Sequence, residues 1–308
     1  MTTISNDFQP PLAFFQTCDI DTHVLLSSTL RFSHTFKLYD RLFAQAGRKA
    51  RLVPFELALE TTEDRDTLFD LLMAFRENGY IKSMMVSNPF KEQIIPYVDG
   101  IDRISQRAGA VNLILKHKMI LTGVNIDGEA FLQAMEKEGV DVKEKRVCFL
   151  GCGGVSAAVS TAIAADCTSI ALIDIDPEKC AKLKTRLDQL ISPDAVQILP
   201  SSGVRDLSLF DIIYNGTGLG KQGQADSDLL ASPLNEADLL PADGTAIDAV
   251  YTPERTEFLT QCHKSGIRII NGLSHMLACT SIHLGATTDM PVTYEQVAQA
   301  HQELFHPQ

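Results

Sequence analysis

The chain has 308 residues, 45% of them hydrophobic and 21% charged, and 39 acidic side chains outnumber 27 basic ones for a net charge of −12. At roughly 100–200 residues per domain this predicts about two domains, large enough to bury their cores without disulfides or a metal. The acidic balance excludes nucleic acid as the main partner, since phosphate binding needs a basic face, but a local nest of N–H groups can still hold a small anion. The seven cysteines are scattered and form no CxxC pair, so reduced thiols in a cytoplasmic protein are expected. The N-terminus has no signal-peptide pattern, and no uncharged apolar run reaches the roughly 18 residues of a membrane span.

In chain order, residues 1–20 carry Pro10 and Pro11 and little periodicity, and read as a loosely ordered lead-in. Val24–Ser28 reads as a strand, Phe36–Ala46 as a helix closed by Gly47, and Arg51–Leu57 as a strand. A helix over Thr62–Asn78, with Thr62 as N-cap and Gly79 as the stop, leads to a strand over Ile81–Ser87. A second unit opens with a helix over Gly128–Glu138. Strand Arg146–Leu150, a glycine turn, helix Val155–Ala165, strand Ser169–Ile173 and helix Pro177–Leu190 follow. Further strands fall at Asp211–Tyr214, Thr245–Ala249 and Arg268–Ile270, and Ser274–Phe305 is helical. Strands alternating with helices predict βαβ units, hence an α/β fold with a parallel sheet.

The turn Gly151-Cys152-Gly153-Gly154 lies between a strand and a helix, the context in which a glycine motif is informative. Gly151 permits the tight turn. Gly153 lets backbone approach a pyrophosphate, whose charge then sits at the N-terminus of the helix opened by Gly154 and Val155. Ser156 replaces the third glycine and is still small. Asp174 ends the next strand, 21 residues beyond Gly153. A carboxylate there accepts from ribose hydroxyls and repels the extra phosphate of NADP, so NAD is expected and NADP is the alternative cofactor. A structural βα turn with a solvated Asp174 is the bland reading.

Before that unit, several polar residues are flanked by apolar ones: Ser33, Thr35, Ser87, Lys91, Asn112, Asn125 and Asp127. A partly desolvated lysine can exchange a proton with a substrate hydroxyl, and a nearby carboxylate can orient it. Oxidising an alcohol needs that proton transfer together with hydride transfer to a nicotinamide. Singly, each residue has a plain reading: a surface lysine, a turn asparagine, and helix caps at Ser33, Thr35 and Asp127.

Together these segments resemble the shikimate/quinate dehydrogenase family, from about Ser33 to Leu284. Ser33-His-Thr35 with Phe43 looks like the family's S-x-S/T…F. Val86-Ser-Asn-Pro-Phe-Lys91 looks like its N-V-T-x-P-x-K, and Gly109-Ala-Val-Asn112 and Gly123-Val-Asn-Ile-Asp127 look like its G-A-x-N and G-x-N-T-D. Asn215-Gly-Thr-Gly-Leu-Gly220 is similar to its nicotinamide loop, and Asp248-Ala-Val-Tyr-Thr-Pro253 with Thr256 to its D-x-x-Y-x-P-x-x-T. The resemblance implies an N-terminal α/β substrate domain over 1–126, completed by C-terminal helices over 273–308, and a Rossmann-type domain over 127–272. It implies Lys91 and Asp127 as the catalytic dyad. Ser33, Thr35, Ser87, Asn112, Tyr251 and the position of Thr280 would meet a small polyhydroxylated ring acid. Gly151, Gly153, Gly154, Val155, Asp174, Asn215, Gly216, Thr217 and Gly220 would hold the dinucleotide. No metal, nucleic acid or membrane is implied, and a homodimer is possible.

The departures from the pattern are specific. Met85 stands for the asparagine before V-T, Ile126 for the threonine of G-x-N-T-D, and Lys221 for the methionine after the nicotinamide loop. Phe36 and Tyr39 stand for a proline and a histidine. The late M-L-x-x-Q reads Met276-Leu-Ala-Cys-Thr280, with His275 inserted before it. A lost hydrogen bond to a buried substrate group alters specificity. A divergent dehydrogenase is therefore expected, acting on shikimate, quinate or an analogue such as an aminoshikimate-like acid. A non-catalytic dinucleotide sensor is the rival from another class.

Overall fold

A computed structural model describes residues 10–30, 33–222 and 230–306. The chain divides into two compact units, one of Met1–Gln106, Ala110–Ile126 and Cys279–Gln308, the other of Arg107–Gly109 and Asp127–Ala278.

The first unit is built on a six-stranded mixed sheet. Its strands are β1 (Asp21–Ser27), β2 (Ala50–Glu56), β3 (Ile81–Val86), β4 (Gly100–Ile101), β5 (Leu113–His117) and β6 (Ile120–Val124), in the order β2-β1-β3-β5-β6-β4. Strands β2, β1 and β3 are parallel, whereas β5 runs antiparallel to both β3 and β6. Strand β1 is buried along nearly its whole length, as expected of a parallel strand covered on both faces. The sequence reading missed the β5–β6 hairpin. Its turn contains Lys118 at φ 56° and carries none of the Asn-Gly or Asp-Gly chemistry that usually marks such turns. That hairpin places both Asn112 and Asn125.

Two further expectations are corrected here. Helix Thr62–Glu77 is capped by Thr61, not Thr62: Asp64 stands three residues after Thr61 and closes a capping box with it. The expected loose lead-in contains a helix, Leu12–Thr17. Phe15 explains why, because it is fully buried and packs edge-on against Phe55 at 5.5 Å. Residues 1–9 of that expectation lie outside the described residues.

The second unit carries a six-stranded sheet that is parallel throughout. Its strands are β7 (Arg146–Leu150), β8 (Ser169–Ile173), β9 (Val196–Ile198), β10 (Ile212–Asn215), β11 (Thr245–Asp248) and β12 (Arg268–Ile270). The order β12-β11-β10-β7-β8-β9 reverses direction between β7 and β10. That is the doubly wound Rossmann order, and ligands bind outside the carboxyl ends of the strands at such a reversal. The turn after β7 and the loop after β10 both lie there, joined by a Gly216 N–H to Leu150 carbonyl bond of 2.8 Å.

The C-terminal segment is two helices. Helix Leu273–Thr287 ends before Pro291, which cannot continue it, and Tyr294–Phe305 restarts behind a Thr293–Gln296 capping box. The boundary between the units falls inside the first of these helices, at Ala278–Cys279. Helix Tyr294–Phe305 packs in the first unit, where Phe305 stacks on His34 at 4.0 Å.

Candidate active site

In the second unit the glycine turn is shaped to receive a pyrophosphate. Gly151 has φ 86°, and a Cβ there would stand 2.9 Å from the Thr217 backbone nitrogen. Gly153 is extended and precedes helix Gly154–Ile163, which has no side-chain cap. The helix thus leaves its first N–H groups without an intrahelical partner, and a Cβ at Gly153 would meet nothing within 4 Å. An uncapped helix start behind open space fits a bound phosphate group. Ser156 is fully buried against Gly216, which explains why a small residue serves where the motif has its third glycine.

Asp174 is not simply solvated. Its Oδ2 accepts from the Cys152 N–H at 2.7 Å and its Oδ1 from the Asp176 N–H at 2.9 Å, so it ties the glycine turn to the end of β8. Asn215 is fully buried, and its Oδ1 accepts from both the backbone N–H and the hydroxyl of Thr217 at 3.1 and 2.7 Å. It folds the loop that contains Gly216, Thr217 and Gly220. Behind that loop, Asp248 accepts from the Val250 N–H and the Thr256 hydroxyl at 2.9 and 2.6 Å.

Burial pushes the Asp248 carboxyl up to about 6, against hydrogen bonds that favour its charge. A carboxyl raised on folding contributes stability below its unfolded value of 3.8, and loses it as pH rises through about 6. Between pH 5 and pH 7.5, Asp248→Asn is expected to remove a stability loss on the order of 1–3 kcal/mol. Chemical denaturation of both proteins at the two pH values measures this as a difference in slope.

In the first unit the polar residues gather where β3 and β6 end and β5 begins. Ser87 donates its N–H to Leu26, and Val86 donates to the Asn112 carbonyl, both at 2.8 Å. The Lys91 carbonyl accepts from Val111 at 2.7 Å, placing Lys91 one residue from Asn112 across that bond. Asn112 is buried, and its Oδ1 accepts from the Ile126 N–H at 2.9 Å. The Asn125 amide donates to the Ala110 carbonyl at 2.9 Å. Lys91 itself is half-buried on helix Phe90–Gln93, fixed by the fully buried Phe90. Ser33 donates its hydroxyl to Thr35 at 2.9 Å and accepts the Thr35 N–H at 3.3 Å, at the start of helix Thr35–Gln45.

The family model of the shikimate dehydrogenase substrate binding domain matches residues 25–114, which hold all of these first-unit groups up to Asn112. A shikimate dehydrogenase (NADP(+)) of Moorella thermoacetica is 36% identical over 256 residues, covering 82% of this chain and 83% of its own length. The chain belongs to the shikimate/quinate dehydrogenase family. It is accordingly an NAD(P)-dependent oxidoreductase of CH–OH groups. Among solved structures, a shikimate dehydrogenase in complex with NADP+ superposes with a TM-score of 0.79 at 24% identity, covering 92% of this chain and 95% of that one. A quinate dehydrogenase from Corynebacterium glutamicum in complex with NAD superposes with a TM-score of 0.76 at 20% identity, covering 93% and 100%. At those identities the superpositions establish the fold.

Within this shikimate/quinate-type dehydrogenase, the first unit holds Ser33, Thr35, Ser87, Lys91, Asn112 and Thr280. The second holds Asp127, Tyr251 and the dinucleotide residues. Asp127 is buried in the first turn of helix Asp127–Glu138, and Tyr251 is half-buried after β11. His275, the inserted residue, donates its Nε2–H to the Asp127 backbone carbonyl at 2.9 Å, anchoring that helix start. Sequence reasoning gave His275 no such role, and no motif spacing could have shown it. Cys152 lies in the glycine turn. Its sulfur lies 3.5 Å from that of Cys180, with both thiols buried. Among the described residues, no helix is long and apolar enough to cross a membrane.

Proposed function

We propose that the protein catalyses the reversible oxidation of a ring hydroxyl of shikimate, quinate or a close analogue. The observation that carries this reading is the corner of the first unit where backbone bonds hold Lys91, Ser87 and Asn112 together. Lys91 acts as the general acid/base, exchanging a proton with the reacting hydroxyl. Asp127 orients that exchange. Ser33, Thr35, Ser87, Asn112, Tyr251 and Thr280 bind the ring acid. The dinucleotide supplies the hydride acceptor, and Gly151, Gly153, Gly154, Val155, Thr217 and Gly220 hold it. Seven free thiols suit a reducing compartment, and the cytoplasm is the proposed location. Calorimetric titration with shikimate and with quinate tests the substrate class. Binding of either supports it, and binding of neither acid nor of any amino- or deoxy-analogue, with dinucleotide present, contradicts it.

The relatives' names point to NADP, which opposes the NAD reading of Asp174. The local charge supports NAD: Asp174, Asp176 and Glu178 follow one another at the end of β8 with no basic residue before Lys179. Carboxylates there repel a ribose 2′-phosphate. NAD is therefore proposed as the preferred cofactor. Asp174→Ala is expected to shift the NAD-to-NADP ratio of kcat/KM by about tenfold towards NADP, some 1.4 kcal/mol. Steady-state rates with both dinucleotides decide the point. A wild-type preference for NADP would refute the role given to Asp174.

A further inference from the structure

Three of the first unit's departures from the family motifs meet at one side chain. The Tyr39 hydroxyl lies 3.6 Å from the Met85 sulfur and meets helix Leu273–Thr287 on the face that carries Thr280, bonding His283 three residues further on at 2.6 Å, with the Thr280 side chain beside it. Read along the sequence, Tyr39, Met85 and Thr280 are separate substitutions. In the folded unit they form one contact.

Tyr39 is itself held from behind. Its hydroxyl is 2.6 Å from His283 Nδ1, His283 Nε2 is 2.7 Å from Ser83 Oγ, and Ser83 Oγ is 2.7 Å from His23 Nδ1. Tyr39, His283 and Ser83 are fully buried, and His23 is 1% exposed. Burial lowers the pKa of both histidines, that of His23 to about 4, so each ring is neutral at physiological pH. A neutral imidazole offers one donor and one acceptor, and the chain matches that pattern at every link. A satisfied buried network of this kind is rigid. Tyr39 also lies one turn beyond Thr35 on the same face of helix Thr35–Gln45.

Threonine in a helix divides between two χ1 wells, because its hydroxyl can turn back to a carbonyl of the preceding turn. A fixed partner selects one well. We propose that Tyr39, backed by His283, Ser83 and His23, is a positioning residue that locks the Thr280 hydroxyl in the orientation that meets a polar group of the ring acid. This rests on the substrate role of Thr280 proposed above. Met85, Tyr39 and Thr280 then form a single specificity-determining unit.

The test is a double-mutant cycle on the full-length protein with Tyr39→Phe, Thr280→Val and both together. It reads KM and kcat for shikimate and quinate, or the calorimetric Kd for each acid, with the unfolding midpoint of each protein. Tyr39→Phe is expected to raise ring-acid KM about 3–10-fold at nearly constant kcat and dinucleotide KM, and to add nothing further in the Thr280→Val background. A merely structural role would lower the unfolding midpoint without that selective rise in KM. If Thr280→Val raises KM but Tyr39→Phe does not, or if the two effects simply add, the positioning role is overturned while the substrate role of Thr280 stands. If Thr280→Val changes nothing for either acid, the substrate role falls and the positioning role with it. Should Tyr39→Phe fail to fold, Ser83→Ala interrupts the same chain farther from Thr280. A ring-acid KM raised in the same direction supports the proposal, and an unchanged KM overturns it.

Discussion

Lys91→Ala is expected to lower kcat by roughly 10²–10⁴-fold, the range of a lost general acid/base. That corresponds to about 3–5 kcal/mol of transition-state stabilisation. The loss should be confined to chemistry, because Lys91 lies in the first unit while the glycine turn lies in the second. Dinucleotide affinity, followed by nicotinamide fluorescence, is expected to stay unchanged. Lys91→Arg should be nearly as inactive, since a guanidinium keeps its charge at all working pH values and cannot return a proton. The helix that carries Lys91 is anchored by Phe90, which neither substitution touches. The unfolding midpoint therefore separates loss of chemistry from loss of fold. Oxidation rates that survive in Lys91→Ala would remove the lysine from the mechanism.

The second large effect separates the two glycines that flank Cys152. Gly153→Ala is expected to leave stability within about 0.5 kcal/mol, because its φ is ordinary at −76° and an added Cβ meets nothing. Its cost appears only when a pyrophosphate approaches the backbone: dinucleotide Kd should rise about 10–100-fold, or roughly 1.4–2.7 kcal/mol. Gly151→Ala should behave in the opposite way. Its φ of 86° and the Thr217 backbone 2.9 Å away make the alanine strained and crowded in the protein alone. A destabilisation of about 2–4 kcal/mol is expected. Thermal unfolding and dinucleotide titration of the two variants give opposite orders of severity. If Gly153→Ala binds the dinucleotide like the wild type, the pyrophosphate does not sit at that turn.

These contrasts show which features the sequence makes legible. Strands β7, β8 and β12 are each an apolar run behind one polar residue and are followed by glycine, aspartate or asparagine, so their ends follow from composition. The glycine turn could be placed because it stands between such a strand and a small-residue helix. The β5–β6 hairpin was hidden by a turn at Lys118 without the usual residues, although two motif asparagines depend on it. The helix at Leu12–Thr17 was hidden because Phe15 is buried against residues distant in sequence, among them Phe55, forty residues on. The roles of Asp174 and Asn215 were partly legible: sequence position marks them as dinucleotide residues, whereas only the fold shows their carboxylate and amide oxygens holding backbone N–H groups of the loops. The convergence of Tyr39, Met85 and Thr280 was illegible for the same reason, because Met85 and Thr280 lie 46 and 241 positions beyond Tyr39 and leave no spacing pattern.

The central claim is that this chain transfers a hydride between a nicotinamide dinucleotide and a hydroxylated ring acid. The most direct test follows nicotinamide absorbance with NAD and with NADP against shikimate, quinate and a panel of amino- and deoxy-analogues. The account predicts turnover of at least one of these acids, faster with NAD, and lowered by roughly 10²–10⁴-fold in Lys91→Ala. Clear dinucleotide binding with no turnover of any ring acid would contradict it, and would make the protein a dinucleotide-binding sensor built on a dehydrogenase fold.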